Sequence, residues 1–211
     1  MKKTGTVLLA ALAIAWSAGT ARAQICAGFP TVDRQFTLGG SIHFPENLNQ
    51  LGIEGSYNFA GPATVFADVE FVSLEDGDAS EEIFQIGAAF ELPAVGAALG
   101  SGASACPVLA VSYAPVEDVG TLWGVSAGFG LGGSWSGGPN FTISPYVIPQ
   151  VSFSRFDAEG DDPDDDDEST DFAVTGGVLL GFGNFWIGPT VGHVFVEGAD
   201  PVFGIRAGIR L

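Results

Sequence analysis

The stretch Phe203-Gly204-Ile205-Arg206-Ala207-Gly208-Ile209-Arg210-Leu211 decides the fold. Every odd position is apolar and every even one is Gly or Arg, a period of two that sends the two sets to opposite faces of one strand. The same alternation runs upstream. Leu51, Ile53, Tyr57 and Phe59 alternate with Gly52, Glu54, Ser56 and Asn58, and Val65, Ala67, Val69 and Phe71 with Phe66, Asp68 and Glu70. Phe84, Ile86, Ala88 and Phe90 oppose Gln85, Gly87, Ala89 and Glu91, while Trp123, Val125, Ala127, Phe129 and Leu131 oppose Gly124, Ser126, Gly128 and Gly130. A soluble sandwich also alternates, but it carries charge, Lys above all, on its solvent face and edge strands. Here the polar face is mostly small and the charges fall between strands. The pattern predicts an all-β chain: a closed antiparallel up-and-down transmembrane β-barrel with an oily exterior and a small, polar interior.

The N-terminus states how such a chain reaches a membrane. Lys2 and Lys3 precede the apolar run Val7 to Trp16, and Ala21-Arg22-Ala23 offers small residues at −3 and −1. This reads as a cleaved secretory signal over 1–23, followed by a periplasmic N-terminal segment over 24–35 and the barrel over 36–211. Later apolar runs are too short and too glycine-rich for a membrane helix, which needs about 20 residues. The chain carries 25 acidic and 7 basic residues, and three of the basic ones sit in the signal. With no lysine after it, nucleic acid and anionic lipid surfaces are excluded as partners.

Candidate strands fall at 36–44, 50–59, 63–73, 83–92, 106–115, 121–131, 141–155, 171–182, 185–196 and 201–211. Ten is the count, with eight the alternative if the segments around Pro107 or Pro189 are not regular strands. An even number brings both termini to one side. The connections on the other side, together with Asp171, hold 20 of the 25 acidic residues. The connections on the termini side, around 60–62, 93–105, 132–140 and 183–184, hold none. A wrong count would scramble this asymmetry.

With its signal, alternating strands and terminal strand Val202–Leu211, the mature chain resembles the bacterial outer-membrane β-barrels of the small OmpA/OmpX-like, porin-family type. The resemblance implies a monomer in the bacterial outer membrane, with membrane lipid and the barrel assembly machinery as partners. Such barrels commonly end in Phe or Trp, whereas this chain ends in Leu211. Tyr57, Phe59, Phe84, Tyr113 and Trp123 fall near strand ends, where aromatic girdles lie.

With the oily face outward, Glu54, Asp68, Glu70, Glu91, Arg206 and Arg210 point into the lumen. Arg206 falls at the levels of Glu54 and Asp68, and Arg210 near the termini-side rim with Glu91. Charges in a narrow lumen need partners, so these six read as an ion-pair network that plugs the barrel or, as the alternative, as a selectivity filter. Lumen glycines such as Gly39, Gly87 and Gly208 serve tight curvature or leave room for water. Cys26 and Cys106 both fall at the termini-side rim, which predicts a disulfide tying the N-terminal segment across the barrel mouth.

His43 and His193 lack a visible nucleophile or orienting acid, so no catalytic residues are assigned and the chain reads as a non-enzyme. No cofactor and no defined metal site are expected. The run Asp157–Glu168, without a basic partner, reads as a solvated extracellular loop. Its Asp161, Asp162, Asp164, Asp165, Asp166, Asp167 and Glu168 bind divalent cations weakly at most, because EF-hand spacing is absent. The function expected is a structural or surface role with at most a narrow water or cation path. A surface binding or adhesion protein acting through its acidic loops is the alternative, and a lipid-modifying enzyme the third reading.

Overall fold

The computed structural model describes residues 27–29, 35–45, 48–59, 62–74, 80–100, 102–116, 120–138, 140–158 and 167–211. The stretch read as a signal (1–23), most of the segment over 24–35 including Cys26, and Asp161–Asp166 lie outside them.

The chain forms a closed antiparallel barrel of ten strands. These are β1 (Phe36–Phe44), β2 (Leu48–Asn58), β3 (Ala63–Leu74), β4 (Ser80–Phe90), β5 (Ala103–Val116), β6 (Gly120–Gly133), β8 (Phe141–Ala158), β9 (Asp167–Phe182), β10 (Phe185–Val194) and β11 (Val202–Arg210). Neighbours in sequence are neighbours in space. β1 closes the ring on β11, with Ser41 opposite Arg206 and Ile42 opposite Ile205. Each of the ten strands is thereby paired on both sides, the closure hydrocarbon imposes on a spanning sheet. Pro107 and Pro189 both sit within regular strands, which leaves ten rather than eight.

Two features depart from the sequence reading. The connection expected over 132–140 contains a short strand, β7 (Trp135–Gly138), paired with β8 and outside the ring. It continues β6 past Ser134, whose N–H is turned to the carbonyl of Gly102 (2.8 Å). Two of its four residues are glycine, so it shows no alternation to read. The connection over 93–105 contains a helix, α1 (Pro93–Leu99), started by proline at its first turn. The bounds also shift: β8 runs to Ala158 and β9 begins at Asp167, so this hairpin reaches farther than expected and absorbs both ends of the acidic run.

The exterior is apolar. Phe36, Leu38, Ile42 and Phe44 are 41–55% exposed along β1, and Phe203, Ile205 and Ile209 are 41–61% exposed on β11. Water would oppose a continuous band of this kind, and a bilayer covers it without cost. Aromatic pairs edge the band at both ends: Tyr57 against Phe59 (5.0 Å) and Phe141 against Phe182 (5.2 Å) at the termini end, Tyr113 against Trp123 (4.6 Å) at the other.

Candidate functional site

The lumen has two halves. At the termini end it is packed solid: Thr37, Asn58, Thr64, Ala89, Cys106, Leu179 and Trp186 are all nearly or fully inaccessible. Trp186, reaching inward from β10, occupies space that two glycines leave open. A Cβ on Gly39 would stand 2.8 Å from its ring, and Gly208 on β11 faces the same ring. Here the lumen glycines therefore make room for a tryptophan rather than for water, and Trp186 is the largest fully buried side chain among the described residues.

Above this packing lies a charged crosspiece. Arg206 on β11 donates from Nε to Glu54 Oε1 on β2 (3.1 Å) and from a terminal nitrogen to Oε2. Its other nitrogen reaches the Tyr146 hydroxyl of β8 (3.1 Å) and the carbonyl of Gly28 (3.0 Å). The last contact holds a piece of chain that belongs to no strand. Ala27 and Phe29 are buried inside the ring, with the Phe29 ring under the Arg206 guanidinium at 5.0 Å and against Phe66 at 5.5 Å. Gly28 has φ +79°, and a Cβ there would meet Arg206 at 3.0 Å and Tyr146 at 3.2 Å, so the turn and the fit both require glycine. The sequence reading placed this segment across the mouth. The structure places Ala27–Phe29 within the barrel.

The half beyond the crosspiece is hollow. A cavity of about 470 Å³, floored by Ala27 and Phe29, opens toward the acidic end. His43, Asp68 and Glu70 line it, with Gln50, Gln85 and Gln150. Gln50 donates to Glu70, and His43 Nδ1 stands 3.9 Å from the same carboxylate. The acid missing beside His43 in sequence is thus supplied by β3, across β2. Asp68, half-buried, has no hydrogen-bond or ion-pair partner among the described residues.

Of the six lumen charges, the structure brings Glu54 and Arg206 into contact, leaves Asp68 and Glu70 in the cavity, and puts Glu91 and Arg210 at the termini end. There Arg210 donates to the carbonyl of Gly183 in the β9–β10 turn, and Glu91 is buried. Tyr146 and Phe29 were missed. Tyr146 has the inward parity of β8, but the Arg206 contact joins residues sixty positions apart, and no local signal marks it.

The acidic run gains a basic partner that the sequence reading denied it. Arg155, on β8, holds Asp157 at 2.6 Å and Glu168 at 3.6 Å, a pairing made by the extended β8–β9 register that sets Arg155 opposite Glu168. His193 packs edge-on against Phe195 (4.6 Å). Among the described residues, no group of three or more His, Cys, Asp or Glu is placed to hold a metal ion.

No protein-family profile and no curated protein matches the chain. Solved structures with a similar course include the N-terminal β-barrel domain of Pseudomonas aeruginosa OprF, at 9% identity, covering 85% of this chain and 98% of that one (TM-score 0.44). The KdgM porin in complex with disordered oligogalacturonate shares 10% identity over 82% of this chain and 97% of its own (TM-score 0.42). Ail, the attachment invasion locus protein of Yersinia pestis, shares 11% over 84% and 99% (TM-score 0.35).

Proposed function

We propose that this chain is a monomeric integral outer-membrane barrel with a structural or surface role, whose lumen is plugged at the periplasmic side and open as a blind vestibule to the outside. The observation that carries the reading is the filled half-lumen: Trp186, Leu179 and Asn58 below, and Ala27–Phe29 clamped by Arg206 above them. The apolar exterior supports the membrane placement, and the acidic asymmetry supports the orientation, with the acidic end facing out. A Cys26–Cys106 disulfide fits this arrangement. Cys106 is fully buried at the start of β5, no free cysteine occurs among the described residues, and Cys26 directly precedes the inserted segment. Planar-bilayer recording of the refolded protein tests the reading. The wild type should show no steady conductance, and Phe29→Ala combined with Trp186→Ala should open a cation-selective one, since the remaining lumen is net negative. A steady ohmic conductance in the wild type would favour the narrow cation path instead.

A second reading, surface binding through the acidic loops, is favoured by the β8–β9 hairpin. Its β9 runs past the last pair with β10, Ala173–Val194, out to Asp167, and the hairpin is braced by the Arg155 ion pairs. Deleting its tip should abolish partner capture by whole cells if that reading holds, and leave barrel folding intact.

A further inference from the structure

The wall of the vestibule divides its charge unevenly around the ring. The titratable side chains that line it come from one run of neighbouring strands: His193, Asp200 and Arg206 from β10, β11 and the turn between them, His43 from β1, Glu54 from β2, and Asp68 and Glu70 from β3. The other five strands, β4, β5, β6, β8 and β9, contribute only uncharged lining. Among these, Val108, Ala110, Ile148 and Ala173 are apolar and no more than 9% exposed. In a ring of ten, β2 and β3 stand five places from β8 and β9, so the two halves face each other across the cavity. Phe29 and Phe66, 5.5 Å apart, form an aromatic floor between them.

Most of the charged half is already spent. Glu54 and Arg206 cancel each other, and Glu70 is held by Gln50 and His43. Asp68 is left half-buried without a hydrogen-bond or ion-pair partner among the described residues, and Asp200 is exposed at the mouth. Asp68, Glu70 and Asp200 outnumber the two histidines, so with its carboxylates ionised the lining is net negative whatever the histidines carry. A neutral or anionic guest would leave Asp68 uncompensated, a costly state for a half-buried carboxylate. A bare metal ion suits the wall no better: among the described residues no three His, Cys, Asp or Glu are grouped to hold one, and it would leave the apolar half uncovered. A cation with a hydrocarbon body meets both halves at once, and about 470 Å³ is the room a small organic molecule needs.

We propose that the vestibule is a binding site for a small organic ammonium ion. Its head lies against Asp68, and its hydrocarbon body lies on the Val108–Ala110–Ile148–Ala173 wall above the Phe29–Phe66 floor. The site rests on the plugged-barrel reading, since Phe29 supplies the floor only while the leading segment is seated.

The test uses the full mature barrel in zwitterionic lipid nanodiscs, titrated with para-fluorobenzylammonium and followed by fluorine NMR against empty nanodiscs. The matched alcohol and para-fluorobenzoate serve as neutral and anionic probes, and ammonium chloride as a bare cation. The ammonium probe should saturate, weaken about tenfold in Asp68→Asn, and lose saturation when Ala173→Phe fills the apolar wall. Ala110→Phe fills the same wall if Ala173→Phe fails to give a folded barrel by circular dichroism and gel mobility. Asp68→Asn should leave the weaker binding of the alcohol unchanged, and the benzoate should not saturate. Shifts that stay linear and match those of empty nanodiscs would show partitioning into lipid and overturn the site. Equal affinity for the benzoate would overturn the role of Asp68, and displacement by ammonium chloride at concentrations equal to the probe's would overturn the organic class. Conductance of the same protein separates the two readings: a steady wild-type current with saturable binding would fail the plug alone, and a closed barrel with linear shifts would fail the site alone.

Discussion

Replacing Arg206 with Met removes a cation that is 9% exposed and keeps most of the aliphatic volume. What it strands is Glu54, itself 7% exposed and held by two of the guanidinium's nitrogens. Leaving one member of a buried pair without its partner costs about 3–5 kcal/mol. The hydrogen bonds to the Gly28 carbonyl and the Tyr146 hydroxyl (3.0 and 3.1 Å) are lost as well, at about 1 kcal/mol each. The hollow half above gives Glu54 a route back to water, which trims the first figure, so a net loss of about 3–4 kcal/mol is expected. Urea unfolding in lipid vesicles, followed by tryptophan fluorescence, reads this as a lower midpoint at unchanged slope. The double variant Glu54→Gln with Arg206→Met should recover about 2 kcal/mol of it, because the stranded charge is then gone. A double-mutant cycle with coupling below about 0.5 kcal/mol would refute the reasoning, since it would mean that the two groups are independently solvated.

Two further outcomes follow. Denatured, unreduced mature protein should show no thiol reactive toward a maleimide label, and two after reduction; two free thiols before reduction would remove the covalent tether between Cys26 and Cys106. Calorimetry at physiological ionic strength should find no calcium site tighter than about millimolar in the acidic hairpin, where Arg155 already occupies Asp157 and Glu168; a micromolar site lost on deleting Asp161–Glu168 would favour the surface-binding reading.

The barrel was legible because a period of two is written at every strand, and because acid is confined to alternate connections. Val202–Leu211 alone gives the facing of Arg206, since a one-residue slip would put two arginines into lipid. The lumen was legible only as far as parity reaches. Parity sends Glu54 and Arg206 inward, and their register does the rest: Arg206 faces Ser41 on β1, and Glu54 faces Gly39 two residues away on the same strand. Parity says nothing about Ala27–Phe29, which belong to no strand and are held by carbonyl and aromatic contacts rather than by a sheet. Nor does it separate a glycine that bends a strand from one that admits Trp186, because both look alike until the opposite wall is in place. The His43–Glu70 approach needs three strands in register, and β7 and α1 lack a hydrophobic period long enough to see.

The insertion of Gly28 under Arg206 joins the beginning of the barrel to its last strand. The two residues are 178 positions apart, and Glu54 and Arg206 are 152 apart. Neither contact can exist until β11 has paired with β1. Chain entropy is therefore spent on closing a loop of 178 positions before the lumen returns any of it, the kind of long-range pairing that slows folding. It also makes the crosspiece a report of completion: an unclosed sheet leaves Arg206 without its carboxylate and the leading residues without a socket. Ring closure and lumen filling are thus one event, and the final strand contributes to both.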